Sequence, residues 1–327
     1  MILVTQSFGK ESEYRRVVLA ILSYYAHSTN QTARTVLFTD APIWFEPYFI
    51  GLPIDFILLT PKKVKEMRGE IDFLHRMKIA LIEEAFQLYQ TDILYFDSDT
   101  FFIADPMPFM AQLSPQKSFM HLCEYQFESI RNMPLPAGAT FQAFVQLIEK
   151  KSFQLSDREL PVTANMSSWN AGVMMLHNTH SSLIPDVYRL TDYFFPETKN
   201  HASEQYAFSI LLQTKTQLSA CDEMIYHYWY NIKKRIIDEF LPDEFSFILK
   251  KQSLPERLDF IRSITARLPA FFDNHLYSIK DNAIQSFNAN DFLRGYNWAI
   301  KAIFAGAIKD KTFIKDVLYH LKRQITR

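Results

Sequence analysis

Asp97-Ser98-Asp99 is the stretch of this sequence that most directly offers chemistry. It follows the apolar run Ile93-Leu94-Tyr95-Phe96, and Phe101, Phe102 and the pair Asp105-Pro106 come soon after. On an extended chain alternate side chains share a face, so Asp97 and Asp99 are expected to point one way and Ser98 the other. Two carboxylates held that close repel. They must be solvated, share a proton or share a cation. A hard divalent ion, Mn2+ or Mg2+, suits oxygen ligands, takes a few from protein and completes its shell with water and phosphate. One reading is thus a metal held by two acids and ready for a diphosphate. The other is a pair of ordinary loop residues, one capping a turn near Asp105-Pro106. The position directly after a buried strand favours the metal.

The elements that would position these acids alternate along the first hundred residues. "ILVTQSF", "RTVLFTD", "IDFILLT" and "DILYF" read as strands. "EYRRVVLAILSYYAHS" and "DFLHRMKIALIEEAFQLY" between them carry apolar residues at helical spacing. Such alternation builds an α/β fold with a mainly parallel sheet flanked by helices, and ligands bind beyond the C-terminal ends of its strands. Asp97, Asp99 and Asp40 all sit at such ends. Phosphatases with a D-x-D-x-T motif on the first strand are excluded, because the acids follow the fourth strand and Phe101 stands at the threonine position.

The helix before the acids adds a cation. Its expected apolar stripe is Leu74, Met77, Leu81, Ala85 and Leu88, and at 100° per residue Lys78 falls inside it. A buried ammonium needs solvent or an anion. Lys78 either reaches across the sheet toward a phosphate or snorkels to water. Arg76 falls on the opposite face by the same count.

"KSFMHLCEY" and "WNAGVMMLH" read as further strands, "FQAFVQLIEKK", "IPDVYRLTDYFF" and "SEQYAFSILLQ" as helices, and residues 124–140 as a loop suited to a lid or an acceptor contact. From about Ile236 the pattern becomes helical. A boundary is expected near 235–245, dividing a catalytic unit at 1–240 from a helical C-terminal region at 241–327. The last helix is amphipathic, with Ile314, Val317, Leu318, Leu321 and Ile325 on one face and Lys315, Lys322, Arg323 and Arg327 elsewhere. It could rest on an anionic membrane or pack on its own domain.

Composition limits the alternatives. The 327 residues are 48% hydrophobic and 15% aromatic, enough for a substantial core. Glycine numbers only 7 and neither G-x-G-x-x-G nor a P-loop occurs, which argues against a dinucleotide fold. A net charge of −1 gives no support for nucleic acid as a partner. Cys123 and Cys221 are too few for a disulfide framework and are both expected in the core. The N-terminus lacks the basic flank of a signal peptide, and no apolar run is long enough to span a membrane. A cytoplasmic protein, peripheral to the inner membrane face if its last helix binds lipid, is the expectation.

Taken in order, these motifs resemble the GT-A-fold, nucleotide-sugar-dependent glycosyltransferases, especially the glycogenin and galactosyltransferase-like family 8. "ILYFDSDTFF" looks like the family's D-x-D strand, and "HRMKIAL" is similar to its basic helix before the acids. "WNAGVMML", with Asn170, Ala171 and Gly172, matches its F-N-A-G-V strand. "SEQYAFSILL", with Glu204 and Gln205, echoes its D-Q pair, and "IYHYWYNIKK" offers His227 for the metal-completing histidine. Glu204 stands where the family has aspartate, and the H-x-x-G-x-x-K-P-W segment is not reproduced.

The resemblance implies Mn2+ or Mg2+ held by Asp97, Asp99 and His227, a UDP-sugar donor, a glycan or lipid-linked acceptor, and retention of anomeric configuration. It implies donor contacts from Ser98, Asn170, Ala171, Gly172, Lys233 and Lys234, and from either Arg76 or Lys78. Thr5 and Asp40 would meet the nucleoside, while Gln205 and Glu204 would act beside the sugar. The same residues could belong to an inactive GT-A-like module that binds a nucleotide or glycan, or to a partner subunit.

Overall fold

The computed structural model describes residues 1–136, 138–249 and 253–325. Strand β1 (Ile2–Ser7), helix α1 (Glu11–His27), β2 (Thr35–Thr39), a short α2 (Pro42–Phe45) and β3 (Ile54–Leu58) open the chain. Helices α3 (Pro61–Arg68) and α4 (Arg76–Tyr89) follow, then β4 (Ile93–Phe96), β5 (Thr100–Phe102), a short α5 (Met107–Met110), β6 (Lys117–Met120) and β7 (Cys123–Gln126). Next come α6 (Ala139–Lys150), the β8 (Ser152–Gln154) and β9 (Glu159–Pro161) hairpin, β10 (Ser167–Trp169) and β11 (Val173–Leu176). Helices α7 (Ile184–Thr198) and α8 (Ser203–Lys215), then β12 (Gln217–Ala220) and β13 (Ile225–His227), complete the α/β part. Five helices end the chain: α9 (Asn231–Ile248), α10 (Leu254–Asn274), α11 (Leu276–Asn288), α12 (Phe292–Phe304) and α13 (Lys311–Ile325).

Seven strands form one sheet in the order β12-β6-β11-β4-β1-β2-β3. Only β11 runs antiparallel to its neighbours. The strands are apolar on both faces because both are covered. Val4, Phe38, Tyr95 and Met174 enter one core with α4, α6, α7 and α8. Leu3, Leu37, Leu94 and Met175, one residue out of phase, enter the other with α1, α9 and α10.

The expected division near 235–245 falls inside α9. That helix is tied to α1 by Arg16, whose guanidinium binds Asp238 at 2.5 and 2.8 Å. Helix α10 is tied to the α1 end by Arg262, which donates to the Ala26 carbonyl. Helices α11, α12 and α13 close a third, smaller core of their own. The expected apolar face of α13 is divided: Ile314 and Val317 pack into that core, whereas Leu318 and Leu321 are exposed. Arg327 and the side chain of Ile325 lie outside the described residues.

Two sequence expectations are corrected. Cys123 is exposed on β7, while Cys221 is buried and burial raises its thiol pKa. Helix α4 begins only at Arg76, because Asp72 adopts a left-handed φ of 49° that a helix cannot run through. Leu74, ahead of the helix, and Leu88, in its last turn, are exposed, and the buried residues are Met77, Lys78, Ile79, Leu81, Ile82, Ala85 and Phe86.

Candidate active site

The acids do not lie on an extended strand. β4 stops at Phe96 and the chain turns through Ser98 and Asp99 before β5 begins. The turn is held from both sides: the Asp97 amide donates to the Gly172 carbonyl at 2.8 Å, and Tyr228 N–H donates to the Asp99 carbonyl at 3.0 Å. β13 pairs with β5 so that His227 stands opposite Thr100. That register delivers the imidazole, more than a hundred residues on, to the acids. One donor atom each from Asp97, Asp99 and His227 lies within 4.8 Å of the others.

Each of the three is oriented by neighbours. Asp97 Oδ1 accepts from the Tyr95 hydroxyl at 2.5 Å, and its Oδ2 faces the Lys78 ammonium at 3.3 Å. Asp99 Oδ1 lies 3.3 Å from His227 Nε2 and its Oδ2 2.6 Å from Lys234 Nζ. Burial alone would raise the Asp99 carboxyl; His227 and Lys234 outweigh it and hold the group well below the usual carboxylate range. His227 Nδ1 meets Asn170 Oδ1 at 2.9 Å, and the same oxygen accepts from Gly172 N–H at 2.9 Å. A backbone N–H can only donate, so the Asn170 oxygen must face it, and His227 Nδ1 must carry a hydrogen. The other ring nitrogen, Nε2, faces Asp99 Oδ1 and is the atom a cation would take. Gly172 makes room for this ring, since a Cβ there would stand 2.1 Å from His227 Cε1.

Lys78 does not snorkel to water but stays buried at the cleft. Its ammonium donates to the Ala171 carbonyl at 3.0 Å, Asp97 at 3.3 Å and Glu204 at 3.4 Å. Burial pulls its pKa down, but the carboxylates Asp97 and Glu204 outweigh that and leave it above the ordinary lysine value. Glu204, buried in the first turn of α8, keeps Oε2 without a hydrogen-bond partner. Gln205 accepts from Ala171 N–H at 3.2 Å and donates to Ser168 and Glu124, both at 2.8 Å. These groups line a cleft of about 980 Å³ at the C-terminal edge of the sheet, with Trp229, Tyr230, Met133 and Phe141 on its outer wall. A smaller pocket of about 460 Å³ adjoins it along Gln6, Ser7 and Ser98.

Not every expected residue arrives there. Arg76 is bound to Asp192 at 2.7 and 3.1 Å and to the Met67 carbonyl, clamping α4 to α7 and α3. Lys233 donates to the Tyr226 hydroxyl at 2.6 Å and lies over aromatic rings; its neighbour Lys234 is the one at Asp99. Asp40 accepts from Gly9 N–H and the Tyr14 hydroxyl, pinning the β1–α1 loop. Thr5 is fully buried behind the cleft, with no hydrogen-bond partner for its hydroxyl. Ser98 donates to Glu13 at 3.0 Å. Within 124–140, Ile130 and Met133 line the cleft, and Ala137 lies outside the described residues. Sequence reasoning passed over Glu124. Its only signal was an acid at the end of a strand that reads as buried.

No family profile and no curated protein sequence matches the chain. Among solved structures, the galactosyltransferase LgtC, crystallised in complex with donor and acceptor sugar analogs, aligns with a TM-score of 0.50 at 12% identity. The match covers 74% of this chain and 96% of LgtC. The fold is GT-A-like. More remote are the glycosyltransferase GlyE of Streptococcus pneumoniae TIGR4 (TM-score 0.41, 14% identity, 67% of this chain and 45% of GlyE) and mouse xyloside xylosyltransferase 1 (0.43, 11%, 67% and 84%).

The cluster on this GT-A-like scaffold fits a divalent cation. Two carboxylate oxygens and an imidazole nitrogen are the donor set such an ion takes. One buried Glu204 oxygen has no hydrogen-bond donor.

Proposed function

We propose that this protein is a metal-assisted glycosyltransferase of the family 8 type. It would move a hexosyl group from a nucleoside diphosphate sugar, UDP being the expected carrier, to a glycan or lipid-linked acceptor in polysaccharide biosynthesis, with retention of configuration. The observation that carries this reading is the convergence of Asp97, Asp99 and His227 in one cleft, on a scaffold that superimposes on a galactosyltransferase.

Breaking the anomeric C–O bond leaves positive character on the sugar and negative charge on the departing diphosphate. A cation on Asp97, Asp99 and His227, Mn2+ or Mg2+, would supply Lewis-acid stabilisation of that charge. Lys234, partly exposed beside Asp99, is placed to turn its ammonium to the same phosphate. Lys78 holds Asp97 and Glu204 in place and keeps the Ala171 carbonyl directed inward. Glu204, which lines the cleft, would meet a sugar hydroxyl. Gln205 braces the Ala171 amide beside it. The pocket at Gln6, Ser7 and Ser98 would take the nucleoside. The aromatic outer wall suits a sugar acceptor.

No described helix is long and apolar enough to cross a membrane. The exposed line Leu293, Ile300 and Phe304 on α12, flanked by Arg294 and Lys301, would suit peripheral contact with an anionic lipid surface.

The test is donor turnover. UDP-sugars incubated with the protein and Mn2+ should release UDP slowly, and Asp99→Asn should reduce this by on the order of 10²- to 10³-fold. Specific binding of UDP with no turnover under any acceptor would instead identify a GT-A-like binding module.

A further inference from the structure

The geometry points to Glu124 as a positioning residue that fixes two side-chain amides at once and, through one of them, the proton on His227. β7 pairs with β10 through a register shift: Tyr125 lies opposite Ser168 and Cys123 opposite Trp169, so Glu124 is the extra residue of a bulge. A bulge re-aims a side chain, and here it turns the carboxylate toward the cleft. Each oxygen then takes a different amide. Oε1 accepts from Asn170 Nδ2 at 2.9 Å, and Oε2 from Gln205 Nε2 at 2.8 Å.

The two amides are committed on their other side as well. Asn170 Oδ1 accepts from Gly172 N–H and faces His227 Nδ1, and Gln205 Oε1 accepts from Ala171 N–H. Both therefore present NH2 groups to Glu124, and only a carboxylate can accept from both. A glutamine of the same shape would set its own NH2 against one of them. If Asn170 turned over in response, giving up the hydrogen bond it accepts from Gly172 N–H, its NH2 would face His227 Nδ1 and drive the ring hydrogen to Nε2, the atom beside Asp99. One bulged acid thus links the imidazole side of the site to the Gln205 side. The hydrogen on His227 Nδ1 follows from its contact with Asn170; the consequence for cation binding rests on the proposed metal-assisted reading.

The experiment uses the full chain labelled with 15N-histidine, with long-range 1H–15N correlations recorded at pH 9 and His227→Gln used for assignment. Wild type is expected to show the Nδ1–H form, and E124Q a shift toward Nε2–H. Mn2+ titration without donor is expected to show binding weaker by about 10- to 100-fold in E124Q. The swap Glu124→Gln with Gln205→Glu restores a consistent donor–acceptor set, so it should return both readouts toward wild type even if E124Q alone folds poorly. An unchanged tautomer and unchanged Mn2+ affinity in E124Q overturn the proposal, as does a folded swap variant that keeps the Nε2–H form. A tautomer shift in a protein that binds no Mn2+ would uphold the role of Glu124 and remove the metal reading.

Discussion

The Nζ of Lys234 sits 2.6 Å from Oδ2 of Asp99, on the side of the carboxylate away from His227. A lysine on α9 and an acid in the β4–β5 turn thus share one charge-assisted contact. Asp99 is buried and Lys234 about one-third exposed, so the lysine can leave while the acid cannot.

This arrangement predicts a pH dependence. With its pKa below the usual range in the folded state, Asp99 contributes stability above its unfolded value of about 4. That contribution fades as pH falls through the lower folded value. The melting-temperature difference between wild type and Asp99→Asn should shrink as pH falls below about 4. A difference that keeps growing below about pH 4 would contradict the assignment.

Gly172→Ala should damage the site more than the fold. The added methyl would meet the His227 ring, itself tethered to Asn170. A loss of about 1–3 kcal/mol is expected by chemical denaturation. Mn2+ affinity should fall at least as far as in His227→Ala, and equal binding by Gly172→Ala and wild type would refute the packing argument.

Lys78→Met should be strongly destabilising. It leaves Asp97 and Glu204 near each other in the interior without their shared cation. Removing one partner from a buried ion pair costs about 3–5 kcal/mol. Arg76→Met, which breaks the half-exposed contact with Asp192, should reduce stability yet leave nucleotide affinity unchanged, as read by calorimetry with UDP. Loss of UDP binding in Arg76→Met would restore the arginine to the donor site.

Membrane contact is tested on α12. Its line of Leu293 at 76%, Ile300 at 52% and Phe304 at 87% exposure has no described partner face. Phe304→Ser with Lys301→Glu should cut sedimentation with phosphatidylserine-rich vesicles at least tenfold, and added salt should weaken wild-type binding. Truncation from Lys309 that leaves binding intact would confine the contact to α12. Unchanged sedimentation of the double variant would rule α12 out.

Much of this protein is written in local pattern. The strand–helix alternation, the two carboxylates after a buried strand and the apolar placing of Lys78 follow from side-chain periodicity, which depends on a few neighbouring residues. The order of "WNAGV", the Glu204-Gln205 pair and His227 likewise carried the resemblance without coordinates. What tertiary structure alone decided are the partners. Arg76 went to Asp192 rather than to the cleft, and Lys234 rather than Lys233 reached Asp99, because one helical step is 100° and the neighbour's position selects the face. Asp97 and Asp99 converge through a turn closed by Gly172 and Tyr228, not through an extended strand. Glu124 acquired its place from a bulge between strands some 45 residues apart. Cross-strand register and hydrogen-bond partnership are set by contacts distant along the chain, and no local period encodes them.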